Sequence, residues 1–256
     1  MADSNKIKEY WEKEKTVSLK DENLRELETD AIADCIQSID RGGLYICDMG
    51  CGDGTNTINY SRLNNVKQVV GIDYSSAMIK KANKNIKKQN ISNITFVNGD
   101  ISELFNFMNK FDAVITQRCL INIPVFDEQI KAIETILGSL KKNGYFIMME
   151  ATKDGLNGLN RLRTGLSLDS LKMPWHNNYF DIGAVEGALE KKFRILKKQD
   201  FSIYYLYTRV LNQVLGLGIN SRLSKKIDIA AAKIQRQFGE TFLGIGAQTL
   251  FFLRRK

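Results

Sequence analysis

The sequence predicts a doubly wound α/β fold whose sheet is mostly parallel. Short apolar runs alternate with amphipathic helical patterns through the first 151 residues, and this order is typical of successive βαβ units. A glycine-rich loop follows the first apolar run, at the position where such sheets bind ligands. The chain has 256 residues, only two prolines and no Pro-, Gly- or Ser-rich linker, so we expect one domain with insertions.

Two helices are predicted before the first strand. Residues 5–15 carry charges at helical spacing around Tyr10 and Trp11, and residues 21–39 place apolar side chains on one face. Short apolar runs then predict buried strands at 44–50, 68–75, 94–101, 111–117 and 145–151. Helical patterns separate several of these strands, at 55–63, 75–90 and 127–140.

The last third of the chain has a different pattern. Residues 184–193 look helical, and the aromatic run 201–207 (FSIYYLY) predicts a strand. Residues 209–238 look mainly helical, and 248–255 (QTLFFLRR) predict a final strand. A helical insertion therefore separates the last two predicted strands.

Composition and charge limit the partners without selecting one. Lys plus Arg exceeds Asp plus Glu by 37 to 29, and the net charge of +8 favours anionic over cationic partners. The four cysteines form no CxxC pair, so we expect no disulfide framework and no metal site. The N-terminal segment is polar and no run of about 18 apolar residues occurs, so we expect no signal peptide, no membrane span and a cytoplasmic location.

The first predicted strand ends in a loop that is rich in glycine. Gly50, Gly52 and Gly54 stand at alternate positions, which lets the backbone turn sharply and approach a ligand. Thr55 stands where a dinucleotide fingerprint needs a third glycine or alanine, and the ending of a phosphate-binding loop is absent. Asp48, just before the loop, suits a positively charged ligand group better than a pyrophosphate.

Two further acids end the next two predicted strands. Asp73 follows the loop by about 20 residues, where a carboxylate accepts hydrogen bonds from ribose hydroxyls. Asp100 ends the third strand, where it is placed to read an adenine edge. Because parallel strands end at the same edge of a sheet, the three acids favour a ligand that contains adenosine.

Together these segments resemble the class I methyltransferases that use S-adenosylmethionine. The resemblance covers residues 44–151 and rests on ICDMGCGDGT, VVGIDYSSAMIKKA, FVNGDI, FDAVITQ and LKKNGYFIMME. It implies S-adenosyl-L-methionine as cofactor and a Rossmann-like sheet of seven strands. The seventh strand would be antiparallel, helices would cover both faces, and helical lids would be inserted. Residues 201–207 and 248–255 would be the sixth and seventh strands.

The family's roles fall on matching positions of this sequence. The resemblance implies that Asp48 and the glycine loop contact the methionine part, that Asp73 holds the ribose and that Asp100 approaches the adenine. Gln117 and Arg118 stand at the end of the fourth strand, and Trp11 is placed to close over the cofactor from the first helix. The candidate cofactor-binding residues are Asp48, Gly50, Gly52, Gly54, Thr55, Asp73, Tyr74, Met78, Asp100, Ile101, Gln117, Arg118 and Trp11.

The implied organisation is a single methyltransferase domain, residues 1–256, with four parts. These are an N-terminal helical cover (1–40), a cofactor-binding core (44–151), an acceptor lid (152–200) and the last two strands with their helical insertion (201–256). The family commonly inserts its acceptor lid after the fifth strand, so the acceptor residues are sought mainly there.

His176 is the only histidine of the chain and the candidate catalytic base, because an unperturbed imidazole titrates near neutrality. Arg161 and Arg163 are candidates to bind a carboxylate or phosphate, although two residues apart they do not share a helix face. Cys119 is interpreted as a packing residue. The candidate substrate-binding residues are Asn122, Arg161, Arg163, Trp175, Asn177 and Tyr179.

We expect methyl transfer to an oxygen or nitrogen of a small molecule, and an anionic acceptor is one option. The Asn/Asp-Pro-Pro-aromatic run of nucleic-acid amino-methyltransferases is absent after the fourth strand, and no Pro-Cys pair marks a cytosine-type nucleophile. Nucleic acid is therefore the less favoured partner. Three alternatives stay open: a non-catalytic module that binds S-adenosylmethionine, a nucleic-acid methyltransferase and a nicotinamide-dependent oxidoreductase.

Overall fold

A computed structural model describes residues 4–13, 20–218, 221–239 and 242–256. The end of the predicted first helix (residues 14–15) and residues 219–220 of the predicted insertion lie outside these described residues. The described strands are β1 (Leu44–Met49), β2 (Val66–Asp73), β3 (Ile94–Asn98), β4 (Phe111–Gln117), β5 (Leu140–Ala151), β6 (Phe193–Asp200) and β7 (Gln248–Arg255).

The seven strands form one sheet in the order β3-β2-β1-β4-β5-β7-β6. Strands β1 to β5 pair in parallel, whereas β7 runs antiparallel to both β5 and β6. The central strands β1 and β4 are buried almost throughout, because helices cover both faces of the sheet. This arrangement confirms the doubly wound fold with an antiparallel last strand.

Helices connect the strands and cover the site. The described helices are α1 (Ser4–Trp11), α2 (Glu22–Gln37), α3 (Thr55–Ser61), α4 (Ser76–Lys88), α5 (Phe126–Ser139), α6 (Lys153–Gly165), α7 (Ile182–Glu190), α8 (Ser202–Tyr205), α9 (Asn212–Val214) and α10 (Arg222–Phe238). A 3₁₀ helix at Ile101–Phe107 follows β3, and a π-helical turn at Leu206–Leu211 joins α8 to α9. In the described ranges, no helix combines the length and apolar character needed to cross a bilayer.

The prediction of a strand at 201–207 is wrong, because this run is helical and β6 precedes it. Phe201, Tyr204, Tyr205 and Thr208 are buried at helical spacing, so the aromatic run packs one helix face. The sequence of β6, FRILKKQD, is polar because this strand lies at the edge of the sheet and is partly exposed. The predicted lid region therefore contains β6, and 201–256 contains one strand rather than two.

The fifth strand begins earlier than predicted. The Lys-Asn-Gly run at residues 142–144 predicts a turn before this strand, but it lies inside β5, where Asn143 adopts a φ of +62° and the register with β4 shifts. The local bulge accommodates the turn-forming residues without ending the strand.

Candidate active site

A cavity of about 600 Å³ lies beyond the carboxyl ends of the central parallel strands. Its wall contains the glycine loop after β1, the acid at the end of β2 and the segment after β3. Side chains from α1, α2, the segment after β4 and α5 complete the wall. The cavity therefore occupies the place where doubly wound sheets bind ligands.

The three loop glycines are required by backbone geometry and close packing. Gly50, Gly52 and Gly54 have φ values of +78°, +55° and +77°, a region that L-residues rarely adopt. A Cβ on Gly50 would lie 2.7 Å from the Cys119 sulfur, and one on Gly54 would lie 2.5 Å from the Phe96 ring. A Cβ on Gly52 would meet no atom within 4 Å, so this backbone is open to a ligand.

Asp73 stands at the end of β2 and is 9% exposed. Its Oδ2 accepts a 2.8 Å hydrogen bond from the Gly52 N–H, and its Oδ1 accepts one of 2.9 Å from the Ser75 N–H. These two bonds fix the carboxylate against the glycine loop, while burial raises its pKa above the ordinary value. Each oxygen keeps a further acceptor site for a ligand hydroxyl.

Asp48 lies deeper, at the end of β1, and is 3% exposed. The Thr57 hydroxyl donates to its Oδ2 over 2.5 Å. Burial raises the pKa of Asp48 to about 6, although the Thr57 hydrogen bond acts in the opposite direction. A buried carboxylate of this kind favours a cationic group beside it.

Asp100 is exposed at the rim of the cavity. Its Oδ1 accepts hydrogen bonds from the Ser102 hydroxyl (2.6 Å) and N–H (3.0 Å), and these bonds lower its pKa. Ile101, Tyr74 and Met78 line the same cavity. The Tyr74 hydroxyl is buried and has no hydrogen-bond partner within the described part of the chain.

Gln117 and Arg118 are engaged by a residue that the sequence analysis missed, Glu28 of α2. The Gln117 amide nitrogen donates to Glu28 (3.0 Å), and its oxygen accepts from Asn56 (2.9 Å) and Tyr60 (3.1 Å). Arg118 donates to both oxygens of Glu28, through Nε (3.0 Å) and Nη2 (2.5 Å). The Glu28 carboxylate is fully buried and compensates the positive charge of the Arg118 guanidinium. Arg118 therefore lines the cavity as one half of an ion pair.

The loop after β4 is held by a buried carboxylate. Glu150, in β5, accepts hydrogen bonds from the N–H groups of Cys119 (3.1 Å), Leu120 (3.0 Å) and Ile121 (3.2 Å). Burial raises the pKa of Glu150 to about 7, against the lowering effect of these bonds. Cys119 packs its sulfur against Gly50, which agrees with its interpretation as a packing residue.

Helix α1 covers one side of the cavity. Ile7, Lys8 and Trp11 line the wall, and the Trp11 indole N–H donates to the Asn122 side-chain oxygen over 3.2 Å. The Asn122 amide nitrogen donates in turn to the Arg118 carbonyl oxygen (2.9 Å). Trp11 and Asn122 are therefore brought together in the wall.

His176 does not line the cavity. Its ring stacks on Tyr10 with 4.5 Å between ring centroids, and its edges meet Trp11 and Trp175, each at 5.5 Å. Its Nδ1 is buried without a hydrogen-bond partner among the described residues, and burial lowers its pKa. His176 is thus connected to the cavity only through α1, the helix that covers the cavity.

The other lid candidates also lie outside the cavity wall. Arg161 is exposed, whereas Arg163 is buried and donates to the carbonyl oxygens of Asp169 and Arg209. Their predicted role in anion binding therefore finds no support in this geometry. Trp175, Asn177 and Tyr179 likewise do not line the cavity.

A cation that the sequence analysis missed does line the wall. Arg25 stands three residues before Glu28 on α2, and no hydrogen bond or ion pair of its side chain to a described residue is found. No local sequence motif marks Arg25 or Glu28, because only the packing of α2 against the sheet brings them to the cavity. The one feature that marks these residues is a charged side chain on the inner face of a helix. This feature becomes visible only in the structure.

Comparisons with known proteins agree with the geometry of this cavity. A family model described as a methyltransferase domain matches residues 40–199. A demethylmenaquinone methyltransferase of Leptospira interrogans is 32% identical over 114 residues, which cover 44% of this chain and 45% of that protein. A ribosomal protein L11 methyltransferase of Caldanaerobacter subterraneus is 30% identical over 119 residues, which cover 46% of this chain and 36% of that protein.

The chain therefore spans less than half the length of these curated relatives. Among solved structures, a magnesium protoporphyrin IX methyltransferase from Synechocystis with bound SAH superposes with a TM-score of 0.60 at 17% identity. That superposition covers 98% of this chain and 94% of the other, and it shows the same fold.

Proposed function

The chain belongs to the methyltransferase-domain family, and from this premise we propose that it transfers a methyl group from S-adenosylmethionine to an oxygen or nitrogen of a small molecule. The observation that carries the proposal is a single cavity whose wall contains the glycine loop, Asp48, Asp73 and Asp100. Its volume of about 600 Å³ falls within the range of roughly 300–1,000 Å³ typical of small-molecule pockets.

The residues of the cavity fit this cofactor at five points. Gly52 presents open backbone, and the buried hydroxyl of Tyr74 has no partner among the described residues. Asp73 is fixed by two N–H groups and retains acceptor sites for the ribose hydroxyls. Asp48 supplies a buried negative charge for the cationic methionine end, and Asp100 stands on the rim for the adenine.

The bound cofactor would supply a methyl group that is already activated by the positive charge on its sulfur. The protein's own contribution is then to align the acceptor and to exclude water. Trp11 and Ile7 close one side of the cavity, and the Glu150 carboxylate holds the loop that carries Asn122 in place.

Part of the cavity wall is not assigned to the cofactor. This part supports the binding of an acceptor of modest size that carries an anionic group. Arg25 is the arginine of the wall whose side chain has no partner among the described residues, and it replaces Arg118, Arg161 and Arg163 as the candidate for a carboxylate or phosphate. Glu28 lies three residues further along α2, where its buried carboxylate is held by Arg118 and Gln117. We assign His176 a positioning role, because it reaches the cavity only through α1.

The experiment combines calorimetry with an acceptor screen. S-adenosylmethionine and S-adenosylhomocysteine should bind, and transfer of labelled methyl should favour carboxylate acceptors over their neutral methyl esters. Arg25→Gln should raise KM for the carboxylate acceptor by about tenfold or more while leaving cofactor affinity unchanged. Arg62→Gln is the matched control, since Arg62 is exposed, bonds Gln89 and lies outside the cavity.

Two results would overturn this assignment. Transfer to RNA or to protein, with no small molecule accepted, would favour a macromolecular methyltransferase, a class that the ribosomal-protein relative illustrates. Cofactor binding without transfer to any acceptor class would favour the non-catalytic module.

A further inference from the structure

The segment between β6 and β7 exposes large aliphatic side chains to solvent. We call its described residues within 202–239 the β6–β7 insertion; it comprises α8, the π-helical turn, α9 and α10. Exposed aliphatic side chains recur along it, and four of them are more than half exposed: Val214, Leu215, Leu223 and Ile229. Leu206 and Leu211 add further exposed aliphatic surface.

Helix α10 turns its small and polar residues inward. Its buried residues are Ser224, Ala231, Ala232 and Gln235, and none of them is a large apolar side chain. Gln235 accepts from the Tyr204 N–H (3.0 Å) and donates to the Asp200 carbonyl oxygen (3.3 Å), so the orientation of the helix is fixed by hydrogen bonds. Ile227 and Ile234 are partly buried, whereas Leu223 and Ile229 are exposed, so part of the helix's apolar surface faces solvent.

Basic residues accompany the exposed aliphatic ones. Arg222, Lys226, Ile229 and Lys233 follow each other at spacings of four, three and four residues, so they form one exposed stripe along α10. Lys225 is exposed beside this stripe, and Leu223 precedes Lys226 by three residues. The face therefore combines long aliphatic stems, positive charge and exposed leucine or isoleucine.

The one acidic residue within 202–239 is already engaged. Asp228 accepts a 2.9 Å hydrogen bond from the Asn212 amide, which also donates to the Ser224 hydroxyl (3.2 Å). These bonds tie α9 to α10, so the exposed side chains on both helices belong to one compact region. No carboxylate of the insertion neutralises the stripe.

We propose that the β6–β7 insertion docks on the surface of an anionic phospholipid bilayer. A helix lying in the interface inserts aliphatic side chains among the acyl chains while lysine and arginine reach the lipid phosphates. The stripe on α10 supplies both components in one face, and its charge is complementary to an anionic leaflet.

Two other occupants fit this surface less well. A second copy of the chain would oppose one basic stripe to another, and like charges at an interface are unfavourable. Single-stranded nucleic acid requires aromatic platforms on which bases stack, whereas the stripe itself carries only aliphatic and basic side chains, and the exposed Phe238 at the end of α10 lies off the stripe.

The test is sedimentation of the full chain with vesicles of phosphatidylcholine containing about one-third phosphatidylglycerol, against pure phosphatidylcholine vesicles. The protein should bind the anionic vesicles and not the neutral ones. Lys226→Glu/Lys233→Glu should weaken binding at least roughly tenfold, and Leu223→Ser/Ile229→Ser should also weaken it severalfold. The matched control is Lys80→Glu/Lys84→Glu on α4, which changes the net charge equally on another exposed lysine-rich face.

A second measurement uses the unmodified protein and does not depend on the folding of variants. Amine labelling of the chain with and without anionic vesicles should protect Lys225, Lys226 and Lys233 and leave Lys80 and Lys84 reactive. Absence of vesicle binding, equal loss of binding in the α4 control, or uniform protection of all lysines would overturn the proposal. Concentration-dependent dimers, or retention on RNA, that the α10 variants abolish would assign the surface to those partners instead.

Discussion

At the residue scale, three carboxylates in one cavity wall experience three different environments. Asp48 is buried and its pKa is raised to about 6, Asp73 is nearly buried and oriented by two N–H groups, and Asp100 is exposed with a lowered pKa. Burial and hydrogen bonding therefore separate the three groups, although all are aspartates at strand ends. Each should respond differently to pH and to substitution.

The adenosine assignment depends most strongly on Asp73. We expect Asp73→Ala to weaken S-adenosylhomocysteine binding by roughly tenfold or more, because hydrogen bonds to a charged group contribute about 1.5–3 kcal/mol each. Calorimetry measures this change, and Asp127→Ala is the matched control, since Asp127 is exposed on α5 and outside the cavity. An unchanged dissociation constant in Asp73→Ala would remove the ribose from this carboxylate.

Asp48 should make cofactor binding depend on pH. Its carboxylate loses its charge as the pH falls through about 6, and a neutral carboxyl no longer attracts the cationic methionine end. We expect affinity to fall by up to about tenfold per pH unit below that pH, by linkage. Affinity measured by calorimetry between pH 5 and pH 8 should show this decline in the native protein and not in Asp48→Asn.

Thr57→Val tests whether the titration of Asp48 causes this pH dependence of cofactor affinity. The Thr57 hydroxyl stabilises the ionised form of Asp48, so its removal should move the midpoint of the decline to higher pH. A decline that persists in Asp48→Asn, or a midpoint that does not move in Thr57→Val, would assign the titration to another group.

At the element scale, the sequence predicted the core strands and misplaced one edge strand. Strands β1, β2, β4 and β7 are recognisable because they are buried runs of apolar residues, and their observed bounds agree within about two residues. The edge strand β6 carries Lys197 and Lys198, so its pattern lacks a continuous apolar run. The aromatic run after β6 resembles a strand in the sequence, because helical and strand patterns are ambiguous over seven residues.

The cluster formed by α1 and the segment after α6 can be followed by its own fluorescence. The two tryptophans of the chain, Trp11 and Trp175, both contact His176. In a Trp175→Phe background, His176→Ala should raise acrylamide quenching of Trp11, because a lost stacking partner for Tyr10 costs about 1 kcal/mol. Turnover should fall with it, since Trp11 lines the cavity.

His176→Phe separates the two roles of this residue. A phenyl ring preserves stacking on Tyr10 but carries no titratable nitrogen, so quenching and turnover should both recover toward the native values. If His176→Phe restored the low quenching of Trp11 and left turnover depressed, the imidazole would be needed for its chemistry, and the positioning role would be wrong.

At the scale of the whole molecule, the cofactor side of the site was predictable and the acceptor side was not. Gly50, Gly52 and Asp73 act within about 25 residues of sequence, so their spacing carries the information. Glu28 and Arg118 are separated by 90 positions, and only the docking of α2 on the sheet makes them partners. A single sequence contains no signal for such a pair, so the sequence alone predicts an Arg118 side chain that is free to bind a ligand.

The Glu28–Arg118 pair should therefore stabilise the attachment of α2 to the carboxyl end of the central strand β4. Glu28 is fully buried and the Arg118 side chain is 15% exposed, so Glu28→Gln should destabilise the protein by about 3 kcal/mol by leaving a buried guanidinium unpaired. Glu28→Met/Arg118→Met should recover most of that loss, because apolar residues of similar volume replace a buried pair at little cost. Urea unfolding of the native protein, Glu28→Met, Arg118→Met and Glu28→Met/Arg118→Met gives the coupling energy of the pair.

The exposed pair between Arg236 on α10 and Asp30 on α2 supplies the control for that cycle. It joins α2 to a different element, and with side chains 41% and 52% exposed its coupling energy should stay below about 1 kcal/mol. A coupling of Glu28 with Arg118 no larger than that of the exposed pair would mean that apolar packing alone holds α2 in place. A large coupling together with normal cofactor affinity in the Met/Met variant would instead separate the stabilising role of the pair from ligand binding, and would leave Arg25 as the arginine of the wall that is available to the acceptor.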